Sequence, residues 1–398
     1  MSQQLISRNA DLLRLQEDGF EVGIVGAHLV ICNVPYVTPA RTIARGTLVS
    51  TLTLSGDMTV RPDTHVATFA GEAPCDAQGS PLQRIIIGST ATRLEEGLVV
   101  NHMFSSKPAV GYYADYHEKM STYAAILASQ AAAIDPAATP RTRRVVANDD
   151  QGSPFVYIDT ATSRAGIGEV AAKLAGERIA IVGLGGTGSY VLDSVAKTPA
   201  ERIDLFDGDE FLQHNAFRSP GAASLDELRG RPTKVAHLAS IYSRMHRNIV
   251  PHPVRLGPDN LELLGDATFV FLCLDAGDAK AAIIAELERL DLPFVDVGMG
   301  LHLVDGSLVG QLRVTTSTPG MRAQIRAKGR IPLKGGGLDD IYSRNIQVAD
   351  LNMVNAGLAV MRWKRLRGFY VDLEHEHFSL FTLDGNHMLN EDRPGEAA

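Results

Sequence analysis

Residues 179–197 read IAIVGLGGTGSYVLDSVAK: four apolar residues run into four glycines within six positions, and a helical pattern follows. Gly183, Gly185 and Gly188 satisfy G-x-G-x-x-G between an expected strand and an expected helix. Glycine is needed where a turn is tight and where backbone must approach phosphate closely. The helix beginning near Gly188 offers free N–H groups and a positive dipole end to an anion. Asp207 and Asp209 close the next strand, about 20 residues on, where an acid accepts from ribose hydroxyls. A glycine turn serving packing alone has no need of that acid, so a nucleotide site is expected. The motif by itself favours NAD as readily as ATP.

The residues after the second strand favour ATP. DLFDGDEFLQHNAFRSPG (204–221) places Asn215 and Arg218 shortly after the acids, GRPTKVAHL (230–238) places Lys234 at a helix start, and VFLCLDAGDAK (270–280) places Asp275 at a strand end. A nicotinamide site needs a ribose acid and an apolar slot. Nucleotidyl transfer needs Arg and Lys to neutralise charge growing on the α-phosphate and the leaving pyrophosphate. A strand-end carboxylate can hold Mg²⁺, which keeps few protein ligands and bridges phosphates. Each residue has a bland alternative: Arg218 as a surface cation near Asp209, Lys234 as a solvated helix residue, Asp275 as an N-cap. Together they fall at strand ends and helix starts of one sheet, where such folds bind ligands.

Around this segment, strands and helices alternate from about residue 165. A strand at RIAIVGL, a helix at GSYVLDSVAKT, strands at ERIDLFDGD, NIVPHPVRL, ATFVFLCLDA and PFVDVGMG, and an antiparallel strand at GSLVGQLRVTTS are expected. The pattern implies an α/β fold: a Rossmann-like, mostly parallel sheet with helices on both faces. A last helix over 348–367 puts Leu351, Val354, Leu358 and Met361 on one stripe. Residues 1–140 read as a β-rich α+β domain. Its strands lie at GAHLVICNVPYV and GTLVSTLTLSG, and its C-terminal helix at 117–134 is stopped by Pro136. The Pro-rich, charged stretch that follows opens a linker over 141–164, and the second domain runs over 165–398. The cluster MFSSKPAVGYYADYHEKMSTY (103–123) reads as a loop packed under a helix, with a partner-docking surface as the alternative.

The chain has 398 residues, a net charge of −8, 45% hydrophobic and 21% charged residues. That balance is globular, its net negative charge argues against nonspecific nucleic-acid binding, where phosphate contacts need clustered Lys and Arg, and the chain contains no apolar run long enough for a bilayer. Without a signal-peptide pattern, and with three cysteines at unrelated spacings, a cytoplasmic compartment is expected. Cys32 and Cys273 sit in apolar strands; Cys75, in GEAPCDAQG, is expected to be the exposed thiol. The HEH at 375–377 reads as an exposed strand segment.

In order, GLGGTGS, DGDEFLQHNAFR, PTK and CLDAGD resemble the signatures of the ThiF/MoeB superfamily, the adenylating enzymes that activate ubiquitin and ubiquitin-like proteins. The resemblance covers about 165–368. It implies an enzyme that binds MgATP, adenylates the C-terminal glycine carboxylate of a ubiquitin-like partner, releases pyrophosphate and passes the acyl group to a conjugating enzyme. By resemblance, Gly183, Gly185, Gly186 and Gly188 line the phosphates, and Asp207 and Asp209 match the ribose acids. Asn215, Arg218 and Lys234 handle the phosphates, and Asp275 stands beside magnesium. A homodimer is implied, with an arginine often supplied by the second subunit, and Arg164 is a further candidate to reach over the nucleotide.

Two departures from the family pattern stand out. RVTTSTPGMRAQIRAKGR (313–330) replaces the first C-x-x-C of a structural zinc, and no C-x-x-C occurs, so no zinc is expected. Residues 276–398 hold no cysteine to take the modifier as a thioester. Cys75 is then the candidate acyl acceptor; direct transfer, or an oxyester on Ser307, Ser317 or Ser343, are the alternatives. An NAD-dependent oxidoreductase, a noncatalytic nucleotide-binding adaptor, and adenylation of a small molecule or tRNA stay open. The NAD reading requires Arg218 and Lys234 to lie far from the glycine loop.

Overall fold

A computed structural model of the chain describes residues 2–145, 152–333 and 346–395. It forms two compact units, one of residues 1–146 and 159–168, the other of 147–158 and 169–398.

The first unit is built on a six-stranded sheet. Its order is Glu21–Val25, His28–Val37, Ile43–Thr51, Val66–Ala70, His102–Ser105, Ile86–Gly88, with every neighbour antiparallel. The helix Tyr116–Ala132 lies on one face because its apolar residues recur at helical spacing: Tyr116, Met120, Tyr123, Ala124 and Leu127 pack with Leu29, Leu48, Phe69 and Phe104. Asp115 caps it by accepting from the Glu118 N–H at 2.8 Å. Tyr113, Tyr116 and Tyr123 are buried, so the aromatic cluster at 103–123 belongs mainly to the core, with Tyr112 exposed. Two helices, Ser2–Arg8 and Ala10–Glu17, precede the sheet.

The second unit carries an eight-stranded sheet in the order Ile249–His252, Arg202–Phe206, Arg178–Val182, Phe269–Leu272, Phe294–Val304, Ser307–Ser317, Phe378–Thr382, His387–Glu391. The first five strands are parallel and the last three antiparallel. In Arg178–Val182, alternate side chains serve opposite faces. Ile179 and Ile181 enter the core with Val191, Leu205 and Trp363, while Ala180 and Val182 enter the core with Phe206, Ile283 and Phe294. The chain moves one way across the sheet from the Arg178–Val182 strand and resumes on its other side at Phe269–Leu272. The crevice of the sheet therefore opens between Gly183 and Cys273, at the carboxyl ends of these two strands.

The helix Ala349–Leu366 packs on the helix Gly186–Val195. Its buried face differs from the expected stripe: Leu351 is buried, but Val354 and Met361 are 38% and 39% exposed. The other buried positions are Asn352, Asn355, Ala356, Ala359, Val360, Arg362 and Trp363. Close approach to a glycine-containing helix selects small and polar side chains there, and an apolar count overlooks them. The HEH segment also departs from expectation. His375 is exposed, but Glu376 and His377 are buried, the first accepting from Arg365 at 2.5 Å and the second bonded to Thr318 Oγ1 at 3.0 Å. Among the described residues, no helix is long and apolar enough to cross a membrane.

Candidate nucleotide site

The glycine loop leaves the sheet at Val182. Gly183 has φ +89°, and a Cβ there would stand 2.5 Å from the Cys273 carbonyl oxygen. The loop must also turn back on itself, because a Cβ at Gly188 would stand 1.9 Å from the Gly183 oxygen. Both positions therefore require glycine. Gly185 precedes the helix Gly186–Val195 and offers no side-chain cap, so the first-turn N–H groups have no such partner.

Asp207 ties this loop to the second strand. Its Oδ2 accepts from the Leu184 N–H at 2.7 Å and its Oδ1 from the Asp209 N–H at 2.9 Å. Lys234 begins the helix Lys234–Tyr242, capped by Thr233, and its backbone N–H donates to the Asp209 carbonyl at 2.9 Å. The ammonium is buried, 2.8 Å from Asp209 Oδ2 and 3.3 Å from Asp207 Oδ2. It is thus no solvated surface lysine. The Lys234 ammonium and the Arg255 guanidinium, 2.6 Å from Asp209 Oδ1, hold the Asp209 carboxyl down at about 2. Asp207 has its oxygens committed to backbone, whereas Asp209 keeps a side chain 45% exposed.

These groups face one cavity of about 390 Å³, lined by Gly183, Gly185, Gly186, Thr187, Asp207 and Asp209 among others. Arg218, Lys234 and Asp275 line it as well. Arg218 is half-buried, and among the described residues its Nε has no hydrogen-bond partner. Asp275 is exposed; the helix that follows, Asp278–Arg289, begins after Gly277 with no side-chain cap, so Asp275 is not its N-cap. Asn215 is placed differently from its neighbours. It is 2% exposed, its Oδ1 accepts from the Leu212 N–H at 2.9 Å, and its carbonyl accepts from the Arg218 N–H at 3.0 Å. Its carboxamide thus holds the turn that carries Arg218.

Other site residues escaped the sequence reading. Lys280 and Arg313 also line the cavity and form a buried ion network with Asp296, which is fully buried, 2.5 Å from Lys280 Nζ and 2.6 Å from Arg313 Nη2. Lys280 also donates to the Leu274 carbonyl at 3.2 Å, which holds the strand-end turn next to Asp275. Only the fold brings these three together, because they are scattered along the chain. Asn352 and Asn355 line the same cavity from the late helix.

Cys75 is not the exposed thiol expected. It is 1% exposed, its Sγ lies 3.3 Å from the Ala73 carbonyl, and burial raises its pKa. Burial disfavours the thiolate, so this cysteine is poorly placed as an acyl acceptor. Cys273 lies in the cavity wall, and burial raises its thiol too. Ser307 is exposed at the start of a hairpin strand, Ser317 is buried, and Ser343 lies outside the described residues. Arg164 pairs with Glu17 at 3.6 Å within the first unit.

A glycine loop at the switch point of a parallel sheet, with a cation and acids around it, defines a Rossmann-like nucleotide-binding domain. Residues 161–324 match the ThiF family. Residues 10–160 match a domain of unknown function, DUF6791. No curated protein matches the chain. Among solved structures it is similar to PaaA, at 18% identity over 56% of this chain and 66% of that one, with a TM-score of 0.43. It is also similar to E. coli MccB with ATP, at 16% identity over 57% and 68% with a TM-score of 0.42. A third is the microcin C7 biosynthetic enzyme MccB in complex with N-formylated MccA, at 17% identity over 59% and 70% with a TM-score of 0.45. The chain spans about two thirds of the length of these structures.

Proposed function

We propose that the second unit adenylates the C-terminal carboxylate of a ubiquitin-like protein, releasing pyrophosphate, for transfer to a conjugating partner. One observation carries this reading: a buried ammonium, a guanidinium and a strand-end carboxylate share a single cavity with the glycine loop. The oxidoreductase reading required the two cations to lie elsewhere, and they line that cavity.

In this reading the phosphates lie against the N–H groups at the start of the helix Gly186–Val195, and Asp209 accepts from the ribose hydroxyls. A carboxylate oxygen of the substrate attacks the α-phosphorus, the bond to the bridging oxygen breaks, and pyrophosphate leaves. Lys234 and Arg218 meet the negative charge that grows on the α-phosphate and the leaving group. Asp207 keeps the loop and the lysine in register. Asp275 is an oxygen donor of the kind Mg²⁺ takes and would hold the ion, which when bound would offset phosphate charge. No protein nucleophile is needed for this half-reaction, which accords with the burial of Cys75. The homodimer belongs to the same proposal, and light scattering at twice the 42.8 kDa chain mass would support it.

ATP–pyrophosphate exchange with a candidate modifier tests the reading. Exchange that requires the modifier's terminal glycine is expected. Exchange that is absent with every modifier, or that persists after that glycine is deleted, counts against it.

A further inference from the structure

Asn352 and Asn355 are 1% and 0% exposed, three residues apart on one face of the helix Ala349–Leu366, and both line the nucleotide cavity. Each spends half of its carboxamide on the protein. Asn352 Oδ1 accepts from Thr187 Oγ1 at 2.9 Å, and Asn355 Nδ2 donates to the Gly298 carbonyl at 3.1 Å. Among the described residues, Asn352 Nδ2 and Asn355 Oδ1 have no partner. A carbonyl only accepts, so the contact with Gly298 fixes which end of Asn355 is left over. The pair therefore presents one buried donor and one buried acceptor, and buried polar groups of this kind are normally bonded.

Their position limits what can bond them. Asn352 stands against the first turn of the glycine helix: a Cβ at Gly186 would lie 2.1 Å from its Nδ2. That is the phosphate end of the cavity. Asn355 holds Gly298, which also lines an adjoining cleft of about 600 Å³, as do Met299 and Arg313. The two carboxamides thus stand where the reacting end of the nucleotide meets the cleft. Phosphates offer only acceptors and leave Asn355 Oδ1 unanswered. An extended peptide presents an N–H and a C=O of one residue on the same side, the complement of this pair.

We propose that Asn352 and Asn355 are positioning residues that grip the backbone at the acyl end of the substrate. The terminal residue's amide N–H donates to Asn355 Oδ1, and the same residue's own acyl carbonyl accepts from Asn352 Nδ2. The substrate class is then a peptidyl carboxylate with an extended end, rather than a small carboxylic acid. This rests on the adenylation reading.

Two hydrolysis-resistant acyl-adenylate analogues test it: N-acetylglycyl-sulfamoyl-adenosine, and its carbon isostere pentanoyl-sulfamoyl-adenosine, which lacks the peptide unit. Calorimetry on the full chain should show the acetylglycyl analogue binding about tenfold tighter, as the added amide N–H bond to a buried acceptor implies. Asn355→Leu should bring that ratio toward one, whereas Asn352→Ala should weaken both analogues alike and leave the ratio in place. A wild-type ratio near one, or a ratio that survives Asn355→Leu, overturns the proposal; the wild-type ratio decides even where a variant fails to fold. If ATP and both analogues fail to bind the wild type, the adenylation reading itself falls, and this one with it.

Discussion

Gly188 and Gly185 lie three residues apart in the same loop, yet alanine at each should fail for a different reason. A Cβ at Gly188 would meet the Gly183 oxygen at 1.9 Å, the Gly183 carbonyl carbon at 3.0 Å and Cys273 Cβ at 3.3 Å. Real Cβ contacts essentially never fall under 3.0 Å, so backbone must move by about 1 Å. Overpacking of this kind costs up to about 3 kcal/mol. Alanine returns about 1 kcal/mol of helix propensity, which leaves a net loss of about 2 kcal/mol. For a unit of this size that lowers Tm by roughly 4–8 °C. A Cβ at Gly185 meets nothing within 4 Å, but the residue lines the cavity. Gly185→Ala should therefore hold Tm within about 2 °C of wild type and still weaken ATP binding about tenfold, because the methyl occupies ligand space. Thermal melts with and without ATP, beside calorimetry, read both effects. A Gly188→Ala protein that melts like wild type, or a Gly185→Ala protein that binds ATP like wild type, would refute the reasoning.

Lys234→Met should abolish measurable ATP binding and let the Asp209 carboxyl rise from about 2. Because that folded value lies below the ordinary carboxylate value, the ion pair's contribution is present above about pH 4 and is lost as pH falls toward 2. Acid unfolding of the wild type should show a loss in that window that the variant lacks. Asp275→Ala should abolish pyrophosphate exchange while circular dichroism and Tm stay at wild-type values; an active variant removes the carboxylate from the mechanism. In the first unit, Lys119 is fully buried, its Nζ donates to Ser50 Oγ at 2.8 Å, and burial lowers its pKa to about 8. The unfolded chain binds that proton more tightly, so stability should rise from pH 8 to about 10.4 and level off above it. Lys119→Met should stabilise the unit at neutral pH by about 2 kcal/mol, the ionisation term of about 3 less a hydrogen bond of about 1. Urea melts at pH 7 and pH 10.5 check it, and an equal effect at both refutes it.

The glycine loop, the strand order's consequences and the acid, arginine and lysine positions were legible because each follows from local rules. Apolar runs of strand length end in glycine, and charged residues recur where strands stop. What was not legible depends on residues distant in the chain. Asp296 reads as an ordinary member of PFVDVGMG until Lys280 and Arg313 are seen against it. Asn352 and Asn355 were passed over because an apolar stripe was sought, and this helix instead presents carboxamides and alanines where it meets the glycine helix. Cys75 lies in a polar loop sequence, but the loop pairs with Val37 and carries the thiol inward. The helix Ala10–Glu17 follows Asn9, a residue type that favours helix starts, but the Asn9 side chain donates to the Leu5 and Asp57 carbonyls and does not cap the helix.

The central claim concerns where a triphosphate sits, and a crystal structure with an ATP analogue blocked between the α- and β-phosphates measures that directly. Phosphate oxygens within hydrogen-bond reach of the Gly185–Gly188 backbone, Lys234 and Arg218, with the ribose on Asp209, are the predicted result. A nucleotide bound elsewhere, or one whose phosphates leave Lys234 and Arg218 untouched, would contradict it.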